Sequence, residues 1–579
     1  MPTRAILFLL IVLTLAACGA PAQPLQTTDT PTAEELPTEP VAPSPIALPT
    51  PTATLPSPAE HRIAIRQVDG VAEFFDRGSG QTFVPRGVNY VFVPHEGQLD
   101  LNLLKVGVYD PERTRLDFQA LADRGYNTVR VFLDHCNQGS GCIGDEDNQG
   151  LNPAYLDNIA DMMAAAKEAG LFILFTSNDL PDQGGYAEQA NGEAGETFAG
   201  YRNAYFLTQS GLEAARQYWS DLLTGLRERS AAFDAVLAWQ LLNEEWLFAD
   251  QPPLSLTSGS AETPTGVYDL SDPQAKRRMV DDTIVNYIAV LKSEILRHDP
   301  TALVTMGFFA PEIAAPGWYV QTAPLLERSE LDFFDFHLYP GGHTQDELVA
   351  AFGMQGYEVK PILLGEYGAF RHIYPDILPA AREINAWQAE SCTHGFDGWL
   401  YWTYYPAPAY VDDRTWGLVD EDGFLLETLS PSLHPDPCET LAIYSDDLAY
   451  GKPAHASENL PENPAELAVD ENAASHWGSG ADAPQWIEID LQAEYTLERV
   501  ELLVSQYPAG ETRHLLRGRS ASGNWQDLHT FEGRTTDGDH LVFTPETPVP
   551  AIQFLRIDTL ASPSWVSWYE VEVYGLLPP

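Results

Sequence analysis

Two apolar, strand-like runs of this chain each lead into a glutamate. The run over 235–243 is followed by Glu244, and the run over 361–366 closes on Glu366. Both runs are of the kind that fills a barrel interior, and each changes to a carboxylate where the strand would emerge. Two such acids at one face of a fold are the minimum set of groups for cleaving a glycosidic bond.

Strand-like and helix-like segments alternate between about residue 63 and residue 440. The predicted strands are 83–89, 127–132, 171–176, 235–243, 302–306, 333–337, 361–366 and 397–402. Eight strands with intervening helices predict a (β/α)8 barrel with inserted loops. A doubly wound open sheet is the competing interpretation, but no Gly-rich phosphate turn follows the first strand.

Polar side chains collect at the carboxyl ends of these strands, where a barrel carries its chemistry. They are Asn89, Arg130, Asn178, Asp179, Asn243, Glu244, His337, Tyr339, Glu366 and Trp402. The ordered set, together with the segment ArgGlyValAsnTyr at 86–90, resembles glycoside hydrolase family 5. More broadly, it resembles the clan of retaining (β/α)8 glycosidases with acids on strands four and seven.

The resemblance implies a role for each of the two glutamates. Glu366 would be the nucleophile that forms a covalent glycosyl-enzyme, and Glu244 would first protonate the leaving oxygen and then deprotonate water. Retaining enzymes hold the two carboxyl groups only about 5–5.5 Å apart, so an ionised Glu366 would favour the protonated form of Glu244. We expect that distance here.

The remaining site residues would bind substrate or orient the acids. Arg130 and Tyr339 would bind Glu366, Asn243 would hold a sugar 2-hydroxyl, His337 would lie near the acid, and Trp402 would stack under the sugar ring. Each has a structural alternative: an ion pair for Arg130, a buried histidine for His337 and core packing for Trp402.

Glu245 competes with Glu244 for the acid position. Strand alternation would put the two on opposite sides, and the family's Asn-Glu order favours Glu244. The chain departs from the family where Glu245 replaces the usual Pro, and where ThrSerAsnAsp (176–179) stands in place of the His found in many cellulase-type members. The second departure disfavours a cellulase-like specificity and favours either a mannanase-like specificity or one outside both classes.

The pattern changes after Cys438 to short strands of period two, at 485–491, 499–504, 553–558 and 568–575. These strands predict an antiparallel β-sandwich, or jelly roll. The segments 451–457, 474–479 and 570–575 resemble the discoidin (coagulation factor 5/8 C-type) domain, which we place at 445–577. In bacterial glycosidases such a domain is usually a family 32-like carbohydrate-binding module.

The discoidin resemblance also implies ligands. Asp470 and Glu570 would hold a structural calcium ion, although a solvated turn explains two acids equally well. Trp525, Tyr507 and Trp565 are candidates for stacking on sugar rings, with core packing as the alternative.

The first residues predict export. A charged residue, a short apolar run and small residues before Cys18 resemble a bacterial lipoprotein signal (1–18) in which Cys18 is lipidated; an ordinary secretory signal is the alternative. Residues 19–61 are rich in Pro and Thr, and 19–60 contain no aromatic residue, Lys or Arg. Such a segment predicts a disordered tether between a membrane and the barrel domain, which we place at 62–440.

Charge and cysteine content limit the partners. With 32 basic and 83 acidic residues, the net charge of -51 disfavours nucleic acid and anionic lipid. The four cysteines besides Cys18 are Cys136, Cys142, Cys392 and Cys438. In an exported chain they predict disulfides, with Cys136–Cys142 and Cys392–Cys438 favoured among three connectivities and a zinc site as the weaker alternative.

Together these features predict a monomeric retaining endo-β-glycosidase, tethered to the outer face of a bacterial membrane by its lipid or else secreted. Its substrate would be a β-linked polysaccharide, mannan ahead of glucan, and catalysis would need no cofactor. The alternative is a non-catalytic lipoprotein that binds carbohydrate in adhesion.

Overall fold

A computed structural model describes residues 59–136, 138–192, 198, 201–311, 317–320, 322–354, 359–408, 414–441 and 447–576. The predicted signal, Cys18 and nearly all of the predicted tether lie outside these residues. Within the described part of the chain, none of the helices has the length and apolar character needed to cross a membrane.

The N-terminal portion alternates strands and helices. Its strands are β1 (Ile63–Val68), β2 (Val71–Asp76), β3 (Arg86–Asn89), β4 (Val93–His95), β5 (Gln98–Asp100), β6 (Thr128–Phe132), β7 (Phe172–Thr176), β8 (Val236–Gln240), β9 (Leu247–Phe248), β10 (Ser260–Thr263), β11 (Gly266–Asp269), β12 (Val304–Thr305), β13 (Gly307–Phe308), β14 (Trp318–Tyr319), β15 (Phe334–His337), β16 (Ile362–Tyr367) and β17 (Gly398–Tyr401). Its helices are α1 (Pro111–Asp123), α2 (Pro153–Ala169), α3 (Tyr186–Gly192), α4 (Tyr201–Leu207), α5 (Gln209–Glu228), α6 (Pro273–His298), α7 (Ala323–Arg328), α8 (Gln345–Phe352), α9 (Ile377–Ser391) and α10 (Phe424–Thr428).

Nine of these strands form a nearly closed parallel barrel, in the order β12-β8-β7-β6-β3-β17-β16-β15-β13. The two ends of this order are β12, which lies within the predicted fifth strand (302–306), and β13, which follows directly after that segment. Val304 pairs with β8 on one side, whereas Gly307 pairs with β15 on the other. All eight predicted strands are therefore present, and the predicted barrel architecture is confirmed.

Burial explains why these short segments form the barrel. Every residue of β6, β7, β8 and β15 is buried, because one face of each strand fills the barrel and the other packs on the surrounding helices. The hairpin β1–β2 packs Ile63 and Phe74 against apolar strand residues such as Leu174 and Leu363. It contributes to a second apolar cluster within the barrel portion.

The helices carry the end signals that their sequences suggest. Asn152 caps α2 through its side chain, with Pro153 in the first turn, and Gly170 ends the same helix in a left-handed conformation (φ 76°). Thr344 forms a capping box with Glu347 at the start of α8. These local signals set where α2 begins and ends and where α8 begins.

The C-terminal portion is antiparallel. Its strands are β18 (Ala454–Ala456), β19 (Trp477–Asp482), β20 (Gln485–Val504), β21 (Gly510–Arg519), β22 (Gln526–Thr535), β23 (His540–Phe543), β24 (Val549–Ala561) and β25 (Trp565–Leu576). They pair in the order β19-β25-β20-β24-β21-β22, and β18 and β23 also pair with β20. The core includes Trp477 and Trp568, which are both buried.

Two strands predicted in the C-terminal portion form one continuous strand in the structure. The segments 485–491 and 499–504 belong to a single strand, β20, whose first part pairs with β24 and whose last part pairs with β25. The pairing register shifts between Asp490 and Tyr495, and Gln492 has a positive φ of 66°. The chain changes direction there without leaving the sheet, so the polar residues between the two apolar runs do not mark a loop.

Two disulfide bonds cross-link the barrel portion, and an ion pair joins it to the C-terminal portion. Cys136 is bonded to Cys142, and Cys392 at the end of α9 is bonded to Cys438. Arg382 of α9 pairs with Glu471 in the C-terminal portion, and its guanidinium lies 3.8 Å from the ring centroid of Tyr450. The two portions therefore contact each other through α9.

Candidate active site

Glu366 lies near the end of β16, and its carboxylate is 6% exposed. Nη1 of Arg130 donates to Oε1 at 2.6 Å, and the hydroxyl of Tyr339 donates to Oε2 at 2.8 Å. Both oxygens are thus held by donors from β6 and from the residues that follow β15. Donors on two sides fix the orientation of the carboxyl group.

Glu244 lies in the turn that follows β8, which ends at Gln240. Its side chain is 14% exposed, and Oε1 lies 2.8 Å from Nδ1 of His337. One carboxylate oxygen of Glu244 lies within 4.8 Å of one carboxylate oxygen of Glu366. The two acids are therefore neighbours, with His337 beside both.

The position of Glu244 corrects the argument used to choose between it and Glu245. Neither residue belongs to a strand, so strand alternation does not apply to them. Glu245 is nevertheless directed differently: its side chain is buried, with only 1% of the residue exposed, whereas Glu244 is partly exposed.

Arg130 is fully buried and connects the parts of the site. Besides Glu366, its guanidinium donates to Asn89 at 2.8 Å, to Gln240 at 2.8 Å and to Asn243 at 2.6 Å. Because Oδ1 of Asn243 accepts the bond from Arg130, its amide nitrogen is the group left to meet a ligand. A guanidinium can make this set of bonds because its five N–H groups lie in one plane.

Two buried polar residues complete this network, and sequence reasoning missed both. Gln240 donates from Nε2 to Oδ2 of Asp335, and Asp335 is fully buried on β15. Each interrupts an apolar strand run, at LeuAlaTrpGln and PhePheAspPhe, and that interruption is the signal by which they could have been found.

The charges shift the ionisation of the central groups. Burial lowers the pKa of His337, but Glu366, Asp335 and Glu244 outweigh it and raise that pKa to about 9. Burial raises the pKa of Glu366, and the neighbouring His337 and Arg130 oppose that rise. The pKa of Tyr339 lies well above its usual range because of burial and the Glu366 carboxylate.

Glu244, His337 and Glu366 also have the types and spacing of a metal-ligand group. The guanidinium of Arg130 lies 2.6 Å from Glu366 Oε1, however, and would repel a cation bound to that oxygen. The arrangement is better suited to proton transfer and nucleophilic attack than to holding an ion.

Three further residues were predicted to lie at the carboxyl ends of the strands: Trp402, Asp179 and Asn178. Trp402 is half-buried, with its ring 6.2 Å from that of Phe132 in an edge-to-face contact. Asp179 pairs at 3.2 Å with Arg202. The backbone nitrogen of Asn178 donates to Asp134. Among the described residues, neither Asn178 nor Asp179 contacts Glu244 or Glu366 through a side-chain hydrogen bond.

A second acidic site lies in the C-terminal portion. The backbone nitrogen of Asn472 donates to Oδ1 of Asp470 at 3.1 Å and to Oε1 of Glu570 at 2.9 Å, which brings the two carboxyl groups together. Glu570 is 2% exposed, and its Oε2 accepts no hydrogen bond from the described residues. A buried carboxyl group with an unused oxygen, beside the partly buried Asp470, fits a calcium ion, which Asp470, Glu570 and the hydroxyl of Ser475 would hold.

The C-terminal portion also matches a known family. The F5/8 type C domain model matches residues 453–571, which contain most of the antiparallel strands and both acids of the second site. Residues 453–571 form an F5/8 type C domain. No curated protein matches the chain.

Several solved structures resemble the F5/8 type C domain. Chitosan-binding module 1 from a Paenibacillus sp. IK-5 chitosanase/glucanase is 30% identical, over 22% of this chain and 98% of that one, with a TM-score of 0.20. The family 32 carbohydrate-binding module of Clostridium perfringens NanJ, determined with galactose, is 16% identical over 21% and 93% of the two chains, with a TM-score of 0.20.

A longer similarity extends beyond the F5/8 type C domain. An exo-β-1,4-mannosidase from Opitutaceae bacterium strain TAV5 is 18% identical, over 65% of this chain and 63% of that chain, with a TM-score of 0.44.

Proposed function

We propose that the chain is a retaining endo-β-glycosidase that hydrolyses a β-linked polysaccharide by double displacement, as in glycoside hydrolase family 5. The observation that carries this proposal is the approach of Glu244 and Glu366 to within 4.8 Å, with Arg130 and Tyr339 bonded to Glu366. Inverting enzymes separate their acids by about 6.5–9.5 Å to admit a water molecule, and this pair is closer.

In the first step, a carboxylate oxygen of Glu366 attacks the anomeric carbon. The glycosidic C–O bond breaks, and Glu244 gives its proton to the departing oxygen. Arg130 and Tyr339 orient the attacking carboxylate, and the amide nitrogen of Asn243 donates to a sugar hydroxyl beside the reacting carbon. The product is a glycosyl ester of Glu366.

In the second step, the ester has removed the negative charge of Glu366, so Glu244 no longer faces a charged neighbour. Glu244 then takes a proton from water, and the water oxygen attacks the anomeric carbon as the ester C–O bond breaks. Both glutamates return to their starting states. The half-buried ring of Trp402 supplies a stacking surface for the sugar.

The substrate preference is inferred from one sequence difference. The segment ThrSerAsnAsp at 176–179, in place of the histidine of many cellulase-type relatives, favours mannan over glucan. The F5/8 type C domain would hold the enzyme on its polysaccharide, with Tyr507 (89% exposed) and Trp565 (54% exposed) as contact residues. The predicted lipid at Cys18 and the tether at 19–61 would place both domains outside the cell.

The test is a screen of mannan, glucan, xylan and galactan, followed by trapping with the matching 2-deoxy-2-fluoro glycoside. A retaining enzyme gains the mass of one sugar on the peptide that contains Glu366, and Glu366→Ala gains none. The products should keep the β configuration by NMR. Inversion, or equal inactivity of the wild type and Glu366→Ala on all four glycans, would refute the proposal.

The second candidate is a non-catalytic lipoprotein that binds carbohydrate in adhesion, and the F5/8 type C domain favours it. Removing residues 445–577 separates the two possibilities. The enzyme should still hydrolyse soluble substrate after the deletion, although it binds insoluble glycan more weakly. A purely adhesive protein should lose all measurable interaction with glycan and show no hydrolysis before or after the deletion.

A further inference from the structure

A third carboxylate, that of Asp335, lies close to the side chains that contact the two glutamates. Asp335 belongs to β15, two positions before His337, and is fully buried. Its Oδ2 accepts from Nε2 of Gln240 and lies 3.9 Å from Nε of Arg130 and 3.8 Å from Nε2 of His337. It is therefore close to both cationic groups that contact Glu366.

The buried charge of Asp335 is compensated by its neighbours. A buried carboxylate without a counter-charge destabilises the fold, so an apolar residue would stabilise the barrel better if nothing else were required there. With Arg130 and His337 beside it, Asp335 supplies the negative charge on the side away from Glu366 and Glu244. The two cations are then held between carboxylates.

The neighbouring strand is built around this side chain. A Cβ atom on Gly365 would lie 1.8 Å from Oδ1 of Asp335, a distance that no side chain tolerates. Gly365 directly precedes Glu366 in β16. The backbone that carries Glu366 therefore comes as close as it does to β15 because position 365 lacks a side chain, and the carboxyl of Asp335 occupies the space.

We propose that Asp335 is a positioning residue for the hydrolysis: through Gln240 it orients Arg130, and through its charge it keeps His337 cationic between Glu244 and Glu366. This inference rests on the proposed function, because it takes Glu366 to be the nucleophile of that hydrolysis. Asp335 does not touch substrate. It acts through the groups that hold the two acids.

The expected consequence concerns His337. The carboxylates that face this imidazole are Glu244 and Glu366 at Nδ1 and Asp335 at Nε2, and Arg130 contacts both Glu366 and Asp335. With Asp335 neutral, one of the three carboxylates that favour the imidazolium is lost. His337 then loses its proton at lower pH, and Glu244 and Glu366 lose the cation between them.

The experiment compares the full chain with Asp335→Asn, which keeps the volume and removes the charge. We expect kcat on the substrate found in the screen to fall by about 10- to 100-fold with little change in KM. In 15N-histidine-labelled protein, the His337 signal, assigned with His337→Gln, should titrate near pH 9 in the wild type. Its midpoint should fall by about one pH unit or more in the variant.

The matched control is Asp299→Asn. Asp299 is also fully buried and pairs with a histidine, His61, at 2.7 Å, but it lies at the end of α6, whereas Asp335 lies within a barrel strand of the site. This variant should lose stability while keeping the kcat and the His337 titration of the wild type. If Asp335→Asn behaves like Asp299→Asn in both measurements, Asp335 is structural and the proposal is wrong.

A further variant, Gln240→Met, keeps the proposal testable if Asp335→Asn does not fold. It breaks the bridge to Arg130 but leaves the charge of Asp335, so kcat should fall by about 10-fold while His337 titrates as before. An unchanged kcat would overturn the route through Gln240. If the wild type hydrolyses no glycan, the proposed function fails, whereas the histidine titration still decides whether Asp335 holds His337 cationic.

Discussion

Nδ1 of His337 lies 2.8 Å from Oε1 of Glu244, although the two residues are 93 positions apart in the chain. The same nitrogen lies 3.5 Å from Oε1 of Glu366. A single imidazole thus contacts both acids of the proposed reaction, and its charge influences each of them. Its ionisation should be visible in the stability of the protein as well as in its activity.

The barrel should lose stability as the pH rises. His337 has a folded-state pKa raised to about 9, above the ordinary value of 6.5, so its contribution is fully present below about pH 6.5. The contribution is lost as the pH rises through about 9, and it amounts to about 3 kcal/mol. Urea unfolding between pH 6 and pH 10 measures it. His337→Gln should be less stable at pH 6 and should show a smaller decline with pH.

Glu244→Gln should lower kcat on polysaccharide by about 10²- to 10⁴-fold, because the leaving oxygen then receives no proton. The loss should be much smaller on a dinitrophenyl glycoside, whose leaving group needs no protonation. Glu245→Gln, which alters the adjacent buried acid, is the control. A large loss for Glu245→Gln that also disappears on the activated substrate would transfer the role of acid to Glu245.

Calcium should stabilise the F5/8 type C domain. Burial and the adjacent Asp470 raise the pKa of Glu570 to about 10, so at neutral pH this carboxyl holds a proton that a cation must displace. We expect added calcium to raise the unfolding temperature of this domain, chelation to lower it, and affinity to increase with pH. Calorimetry of Glu570→Gln should show no response to calcium; an unaltered response would exclude this acid as a ligand.

Arg382→Ala should weaken the contact between the two domains. The variant leaves the nearly buried Glu471 without its guanidinium partner and removes the stacking on Tyr450, at a cost of about 1–3 kcal/mol. Scanning calorimetry should show the unfolding transitions of the two domains moving apart. Arg513→Ala, which removes an exposed pair with Glu532, should leave them in place.

Binding to insoluble glycan should depend on Tyr507 and Trp565. Both rings are largely exposed in the F5/8 type C domain, and replacing either with Ala should weaken adsorption to the glycan by about 10-fold. Hydrolysis of soluble substrate should not change. Val267→Ala, at an exposed apolar position of the barrel portion (68% exposed), should bind like the wild type.

The strands were predictable because barrel strands are buried on both faces and therefore appear as near-continuous apolar runs. Glu366 could be placed for the same reason, since it stands at the end of such a run. The pairing of the segment around the fifth strand could not be predicted. Thr305 and Gly307 belong to two short strands that pair with different neighbours. Pairing depends on residues distant in sequence, which a local pattern does not report.

The sequence by itself determined the barrel, the antiparallel C-terminal domain and the types of the residues at the strand ends. Only the tertiary structure decided which of those residues meet: Asp179 pairs with Arg202, whereas Glu244 meets His337 beyond the end of its strand. It also revealed Asp335 and Gln240, which appear in the sequence merely as polar interruptions of apolar runs. Hydrophobic periodicity is local and can be read along the chain, but electrostatic partnership depends on distances across the barrel that only folding sets.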